Sequence, residues 1–173
     1  MVDRRWAVAA LAAMALALSW TGRAFADDAR DRPTPSGLPV PRYVSLKFDR
    51  VNARAGPGDD HKLVFVYTAK GLPVQVVAET SEWRRVCDPE GTLVWVHKRT
   101  TDGRRTAMNT RKAPQPLLRK PRDGAPVADY LASHALAQLV RCSKDWCRVK
   151  ADGASGWVKA GDLWGTSDAL QCH

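Results

Sequence analysis

The chain has 173 residues, with 27 Lys and Arg against 18 Asp and Glu, and a formal net charge of +9. This excess of positive charge favours anionic partners such as envelope polymers and surfaces. No segment offers the roughly 20 consecutive apolar residues that a membrane-spanning helix requires, so we expect no transmembrane helix.

The first 26 residues have the pattern of a secretory signal peptide. Arg4 and Arg5 precede an apolar run from Trp6 to Leu18, and Ala24-Phe25-Ala26 forms a small-residue cleavage site. We expect cleavage after Ala26 and export to the periplasm or the outside of the cell. The Arg4-Arg5 pair leaves twin-arginine export open beside the default secretion route.

Residues 27–40 contain three prolines, with a fourth at Pro41, and predict a flexible lead-in without a packed element. After it, short β-rich runs alternate with Gly, Pro and Asp turns, which is typical of a compact all-β barrel. The predicted strands are 43–46, 63–67, 74–79, 83–88 and 92–96, and a last hairpin turns at Asp102-Gly103 into residues 104–108.

The chain contains an internal repeat. Trp83-Arg84-Arg85-Val86 followed by Gly91 to Val96 returns as Trp146-Cys147-Arg148-Val149 followed by Gly153 to Val158, with one residue inserted in the first copy near Pro89. Intrinsic propensity favours a helix over residues 132–139. The repeat instead aligns residues 135–142 with the strand 74–79, and we follow the repeat.

The repeated pattern resembles the bacterial SH3 domain. The Asn-x-Arg-x-Gly-Pro-Gly turn at 52–58, a Trp that starts one strand and Gly-x-x-x-Trp-Val closing the next carry the resemblance over residues 41–108, and more weakly over 114–164. Residues 103–107, the hairpin 142–147 and the ending Leu163-Trp164-Gly165 are also similar to exported tandem SH3-like proteins of proteobacteria. The resemblance implies an all-β fold of two tandem small SH3-like β-barrels after a cleaved signal peptide, used for binding and often for targeting the cell wall.

The expected division is a signal peptide (1–26), the lead-in (27–40), a first domain (41–109), a diverged second domain (110–165) and a tail (166–173). In this division Arg54 corresponds to Arg119, although the turn that follows has diverged. Trp95 and Trp157 are expected in the core. The candidate ligand contacts are Tyr43, Arg54, Trp83 and Trp146, with Trp83 and Trp146 expected to be partly exposed. For Arg54 the alternative, which a barrel this small favours, is a donor that stabilises its own turn.

Four cysteines follow the signal, and export favours disulfides. A two-residue loop at Lys144-Asp145 places Cys142 opposite Cys147 at a non-hydrogen-bonded position, which suits a disulfide. Their counterparts Glu79 and Arg84 could form a cross-strand ion pair. Cys87 and Cys172 are left as a pair by elimination. A metal site that adds Cys172 and His173 matches no usual zinc spacing.

Basic residues cluster between Lys98 and Arg122, with nine Lys and Arg against one Asp. Besides Lys98, this basic segment contains Arg99, Arg104, Arg105, Arg111, Lys112, Arg119, Lys120 and Arg122. It predicts attraction to an anionic surface or, as the alternative, a solvated linker without a ligand.

The sequence offers no placed nucleophile and base, paired carboxylates or phosphate-binding glycine loop, so neither an enzyme nor a cofactor is expected. The leading hypothesis is a non-catalytic exported binding module that recognises cell-wall (peptidoglycan) peptide or glycan, or an envelope protein. The alternative is a structural protein that docks on anionic envelope surfaces through the basic segment. Export makes nucleic acid an unexpected partner.

Overall fold

A computed structural model describes residues 34–172. The expected signal peptide, the start of the lead-in and His173 lie outside the described residues. Within that range, no helix is long and apolar enough to cross a membrane.

Residues 34–172 fold into two antiparallel sheets. The first has the strand order β3-β2-β6-β5-β4-β1-β7 and the second β10-β9-β13-β12-β11-β8. The strands of the first sheet are β1 (Arg42–Leu46), β2 (Val51–Arg54), β3 (Leu63–Tyr67), β4 (Pro73–Glu79), β5 (Trp83–Cys87), β6 (Leu93–His97) and β7 (Thr101–Asp102). Those of the second are β8 (Thr106–Met108), β9 (Gln115–Leu118), β10 (Val127–Leu131), β11 (Leu136–Ser143), β12 (Trp146–Ala151) and β13 (Ala154–Lys159). A short 3-10 helix follows β6 at Lys98–Thr100 and another follows β13 at Ala160–Asp162.

The two sheets repeat one topology, which confirms the all-β tandem arrangement. The order β3-β2-β6-β5-β4-β1 matches β10-β9-β13-β12-β11-β8 strand for strand. Residues 136–143 form the strand β11, so the helix that local propensity favoured is absent there. Pairing with β12 and β8 on its two sides outweighs that propensity.

The strand β8 marks the start of the second unit. It pairs with β11 as β1 pairs with β4, whereas β7 pairs with β1. The hairpin expected around Asp102-Gly103 is therefore not formed, and residues 106–108 belong to the second sheet instead of closing a first domain at 109. We take the change of sheet between Asp102 and Thr106 as the junction, and call the two units the first and second modules.

The inserted residue of the first copy lies in the β5–β6 turn. The Asp88 carboxylate accepts hydrogen bonds from the backbone N–H groups of Glu90 (3.1 Å) and Thr92 (2.7 Å), and the Tyr67 hydroxyl donates to its other oxygen at 3.0 Å. The second copy turns tightly at Asp152-Gly153, where both φ angles are positive, 45° and 86°. The buried Asp88 thus supplies partners for the longer turn.

The two hydrophobic cores meet at β8. Alternation along the strand sends Ala107 into the second core and Met108 into the first. Leu136 and Trp164 of the second module also pack against the first core. The modules therefore share apolar contacts and are packed together.

Both chain ends of the described region fold onto the first module. Val40 is 6% exposed and belongs to the first core, and the backbone N–H of Ser36 donates to Glu79 at 3.1 Å. Residues 34–40 therefore differ from the flexible lead-in expected from their prolines. Gln75 is fully buried under the C-terminal tail, where its side chain donates to the carbonyl of Ala169 and accepts from the N–H of Gln171.

Two disulfides are present, which confirms the prediction that the cysteines form such bonds. Cys142 and Cys147 are direct cross-strand partners with Cα atoms 4.0 Å apart. Cys87 joins Cys172 and ties the tail to the first module. The position in the first module equivalent to the Cys142–Cys147 bridge is occupied by Glu79 opposite Arg84. The Glu79 Oε2 atom lies 3.6 Å from the Arg84 Nε atom.

Candidate ligand-binding surfaces

A row of cross-strand partners runs over the outer face of the first sheet. Trp95 lies between Val94 and Val96, which are 3% and 0% exposed, so alternation turns its indole away from the core. Its partners are Arg85 on one side and Arg54 on the other. Directly opposed residues of antiparallel strands share a face, so these three side chains form a contiguous surface.

The second module carries the same row. Trp157 has Arg148 on one side and Leu118 on the other, and Arg141 follows beyond Arg148. The Arg141 guanidinium carbon lies 5.2 Å from the centre of the Trp157 ring, within the range of a cation–π contact. We use the name Arg–Trp row for the two sets together: Arg54, Arg85 and Trp95 in the first module, and Arg141, Arg148 and Trp157 in the second.

A cavity borders the row in each module. In the second, a cavity of about 360 Å³ is lined by Trp157, Arg148 and Arg119, among others. In the first, a mostly apolar cavity of about 370 Å³ lies between Arg85, Leu93 and the tail residue Leu170. Both volumes lie within the roughly 300–1,000 Å³ of ordinary small-molecule sites.

The strand register contradicts the expected correspondence between Arg54 and Arg119. Arg54 lies opposite Trp95, but the residue opposite Trp157 is Leu118, so Arg54 and Arg119 are not equivalent in strand register. In the first module, the Arg54 guanidinium donates to the carbonyl of His61 at 2.8 Å and lies 3.2 Å from an Asp59 oxygen. Arg54 thus closes its own turn.

Two of the four residues expected to contact a ligand are buried. Trp83 is 8% exposed beside the His97 ring, so the expectation that it is partly exposed is wrong. Tyr43 is also 8% exposed and meets the Trp164 ring edge-on at 5.5 Å. Burial raises the pKa of Tyr43 to about 12. These contacts leave little of either ring free to bind.

The other tryptophans divide differently from the expectation. Trp146 is half-buried beside Lys159, with the ammonium 5.6 Å from the ring centre, as its position beside a turn predicted. Trp157 is 8% exposed, with the Arg141 guanidinium over its ring, although it is not part of the second core cluster. Trp95 is half-buried on the outer face. The placement in the core is therefore wrong for Trp95, whereas Trp157 is buried as expected.

The basic segment does not form one continuous strip. Its residues lie on the 3-10 helix at 98–100, on the junction at 103–105, on the turn at 110–114 and on the turn at 119–126. Arg104 pairs with Asp102 at 2.6 Å and Arg111 pairs with Asp162. Arg99, Lys112, Lys120 and Arg122 are exposed. The segment is thus divided among four loops, and part of its charge is neutralised locally.

Within residues 34–172, no group of three or more His, Cys, Asp or Glu side chains is placed to hold a metal ion. Sequence reasoning missed Arg85, Arg141 and Arg148 as surface partners of tryptophan. For Trp95 the sequence did contain a usable signal. A Trp between two core valines must point to the opposite face of its strand.

Comparison with known proteins agrees with this geometry. The sequence profile of the bacterial SH3 domain matches the chain twice, over residues 47–103 and 111–165. The chain therefore belongs to the bacterial SH3 domain family and carries two such domains in tandem.

Solved structures add only distant neighbours. NlpC2 and NlpC1 from Trichomonas vaginalis are each 11% identical to this chain, with TM-scores of 0.33 and 0.32. The matches cover 72% and 71% of this chain, and the chain spans about half the length of each neighbour, 48% and 45%. No curated protein matches the sequence.

Proposed function

We propose that this protein is a non-catalytic binding module that recognises peptide or glycan of the cell wall through the Arg–Trp row. The repetition of the row carries the proposal, because two modules with diverged turns both place an exposed arginine directly opposite a tryptophan. The accessible part of the half-buried Trp95 ring suits sugar rings and apolar side chains, and a guanidinium suits carboxylates.

The row has members in both modules, which pack together, so it supplies two contact points on one protein. Cell-wall polymers repeat the same chemical unit, so binding at one row raises the effective concentration of ligand at the other. Exposed Arg85 and Arg148 bind anionic groups, and the half-buried Trp95 provides an apolar contact beside Arg85.

The two disulfides support a site of action outside the reducing cytosol, in agreement with the expected export signal. We therefore place the protein in the periplasm or outside the cell.

Co-sedimentation with purified peptidoglycan tests the proposal. The double variant Arg85→Gln/Arg148→Gln removes two positive charges from the row, and Arg99→Gln/Arg122→Gln removes two exposed charges elsewhere. We expect the first variant to weaken binding by about tenfold and the second to stay near the wild type. Full binding by the row variant contradicts the proposal.

The second candidate is docking on anionic envelope surfaces through the basic segment, which the exposure of Arg99, Lys112, Lys120 and Arg122 favours. It predicts the opposite order, with Arg99→Gln/Arg122→Gln the weaker binder. It also predicts loss of binding in moderate salt, because exposed charges are screened beyond about 8 Å at physiological ionic strength.

A further inference from the structure

A cleft separates the two modules on the side of β1 and β8. One wall is Ser45 and Leu46 of β1 with Lys70 and Gly71 of the β3–β4 turn. The other wall is formed by Arg104, Arg105, Thr106 and Gln138. The cleft has a volume of about 270 Å³, and its lining comes from both modules and the junction between them.

Three cationic side chains line this cleft and no acidic residue does. Lys70, Arg104 and Arg105 are all exposed. Asp102, outside the lining, accepts from two nitrogens of Arg104 at 2.9 and 2.6 Å, and Arg105 donates to the carbonyl of Gly165 at 3.0 Å. Positive charge therefore exceeds negative charge around the cleft even when Asp102 is included.

Hydrogen bonds across the junction fix the floor of the cleft. The Ser45 hydroxyl donates to the carbonyl of Arg104 at 2.6 Å, and the Thr106 hydroxyl donates to that of Gly71 at 2.7 Å. The backbone N–H of Leu139 donates to the carbonyl of Arg105 at 2.9 Å. The backbone that carries the cations is thus held in place before any ligand binds, which lowers the entropic cost of binding.

Donors remain free around this floor. Among residues 34–172, neither the Lys70 ammonium nor the Gln138 side-chain amide has a hydrogen-bond or ion-pair partner, while Arg104 and Arg105 each retain further N–H groups. An ammonium, two guanidinium groups and an amide, all facing one concave space, are the donor set for an oxyanion.

From this cleft we infer a second binding site, distinct from the Arg–Trp row, that takes the oxyanion of a ligand, a carboxylate or a phosphate. Lys70, Arg104 and Arg105 neutralise its charge, and the Gln138 amide donates a further hydrogen bond. A space of about 270 Å³ is slightly smaller than the roughly 300 Å³ lower bound of ordinary ligand pockets, so it accommodates the charged end of a chain.

Titration of the mature protein with sodium phosphate and, separately, sodium acetate, followed by NMR at constant ionic strength, tests the site. We expect saturable shifts of the Gly71 and Thr106 backbone amides and of the Gln138 side-chain amide. Saturation by phosphate alone identifies phosphate as the ligand chemistry, and saturation by acetate as well extends it to carboxylates. Either result supports the site, and the absence of saturable shifts with both anions overturns it.

Variants make the test specific. Lys70→Gln, at an exposed residue of the cleft, should weaken anion binding by about fivefold, whereas Lys62→Gln, an exposed lysine outside it, should leave binding unchanged. Gln138→Ala should also weaken binding without changing the charge. Equal effects of Lys70→Gln and Lys62→Gln, or no effect of either cleft variant, would show general electrostatic attraction and overturn the proposal.

Discussion

The indole N–H of Trp164 donates a 2.8 Å hydrogen bond to the carbonyl of Pro73. This bond joins the end of the second module to the start of β4 in the first. The same indole ring packs edge-on against Tyr43 and contacts the first core. Trp164 is thus a principal residue of the contact between modules.

Replacement of Trp164 by Phe keeps an aromatic ring but removes the donor. The Pro73 carbonyl then loses its partner in a partly buried position, so we expect the free energy of unfolding to fall by about 1–2 kcal/mol. Urea denaturation measures the loss. Trp146→Phe is the control, because that half-buried indole donates no hydrogen bond within residues 34–172, and an equal loss in the control would contradict this role.

Gly165→Ala should destabilise the contact between modules. Gly165 has a φ of +100°, and an added Cβ would lie 2.5 Å from the carbonyl oxygen of Thr106 and 3.2 Å from the Pro73 side chain. Both backbone strain and overlap with a fixed carbonyl oppose the substitution, so we expect a loss of at least about 2 kcal/mol. Gly161→Ala meets nothing within 4 Å and should lower the melting temperature far less. Similar melting temperatures for the two variants would refute the argument.

The stability of the first module should depend on pH through Glu79. Burial alone would raise the pKa of this carboxyl, but hydrogen bonds from Ser36 and Arg42 and the charge of Arg42 outweigh it and lower the pKa to about 2. Because the folded-state pKa is depressed, the stabilisation is complete above the ordinary value of 4.5 and is lost as the pH falls towards about 2.

Glu79→Gln should therefore cost on the order of 2 kcal/mol at pH 7, after allowance for solvent screening, and progressively less between pH 4.5 and 2. Urea denaturation of wild type and variant across this range measures the gap. Glu82→Gln is the control, since that side chain is 62% exposed. A gap between wild type and Glu79→Gln that stays constant from pH 7 to pH 2 would contradict the pKa shift.

The two disulfides should contribute unequally. Cys87 and Cys172 are 85 residues apart in sequence, and Cys142 and Cys147 are 5 apart. Chain entropy of the unfolded state gives a stabilisation of about 5 kcal/mol for the long loop and about 2 kcal/mol for the short one. Denaturation of Cys87→Ala/Cys172→Ala and Cys142→Ala/Cys147→Ala measures the two costs. The explanation fails if removal of the short bridge costs as much as removal of the long one.

The sequence was sufficient to predict most strands, the tandem fold and the Cys142–Cys147 register, because these depend on local alternation and on a turn between neighbouring strands. The burial of Tyr43 could not be predicted in this way, since its covering residue Trp164 lies more than a hundred positions further along the chain. Gln75 is covered by Ala169 and Gln171 for the same reason. The residues that cover the first module are distant in sequence, and only tertiary packing brings them there.

Part of the Arg–Trp row could be predicted from the sequence. Val94 and Val96 fix the inward phase of β6, and Trp95 must then face outward. The pairing of Trp95 with Arg85 depends on the register between β5 and β6. The inserted residue near Pro89 obscures that register in a comparison of the two copies. The cleft at Lys70 and Arg104 required knowledge that β8 joins the second sheet, which no local pattern reveals.

The most direct measurement for the Arg–Trp row is NMR observation of the tryptophan indole N–H signals in the mature protein during titration with soluble peptidoglycan fragments. The account predicts saturable shifts of the signal of the half-buried Trp95, smaller shifts for the buried Trp83 and Trp157, and loss of the Trp95 shift in Arg85→Gln/Arg148→Gln. Fragment binding that leaves the Trp95 signal unmoved would contradict the assignment of the row as the binding surface.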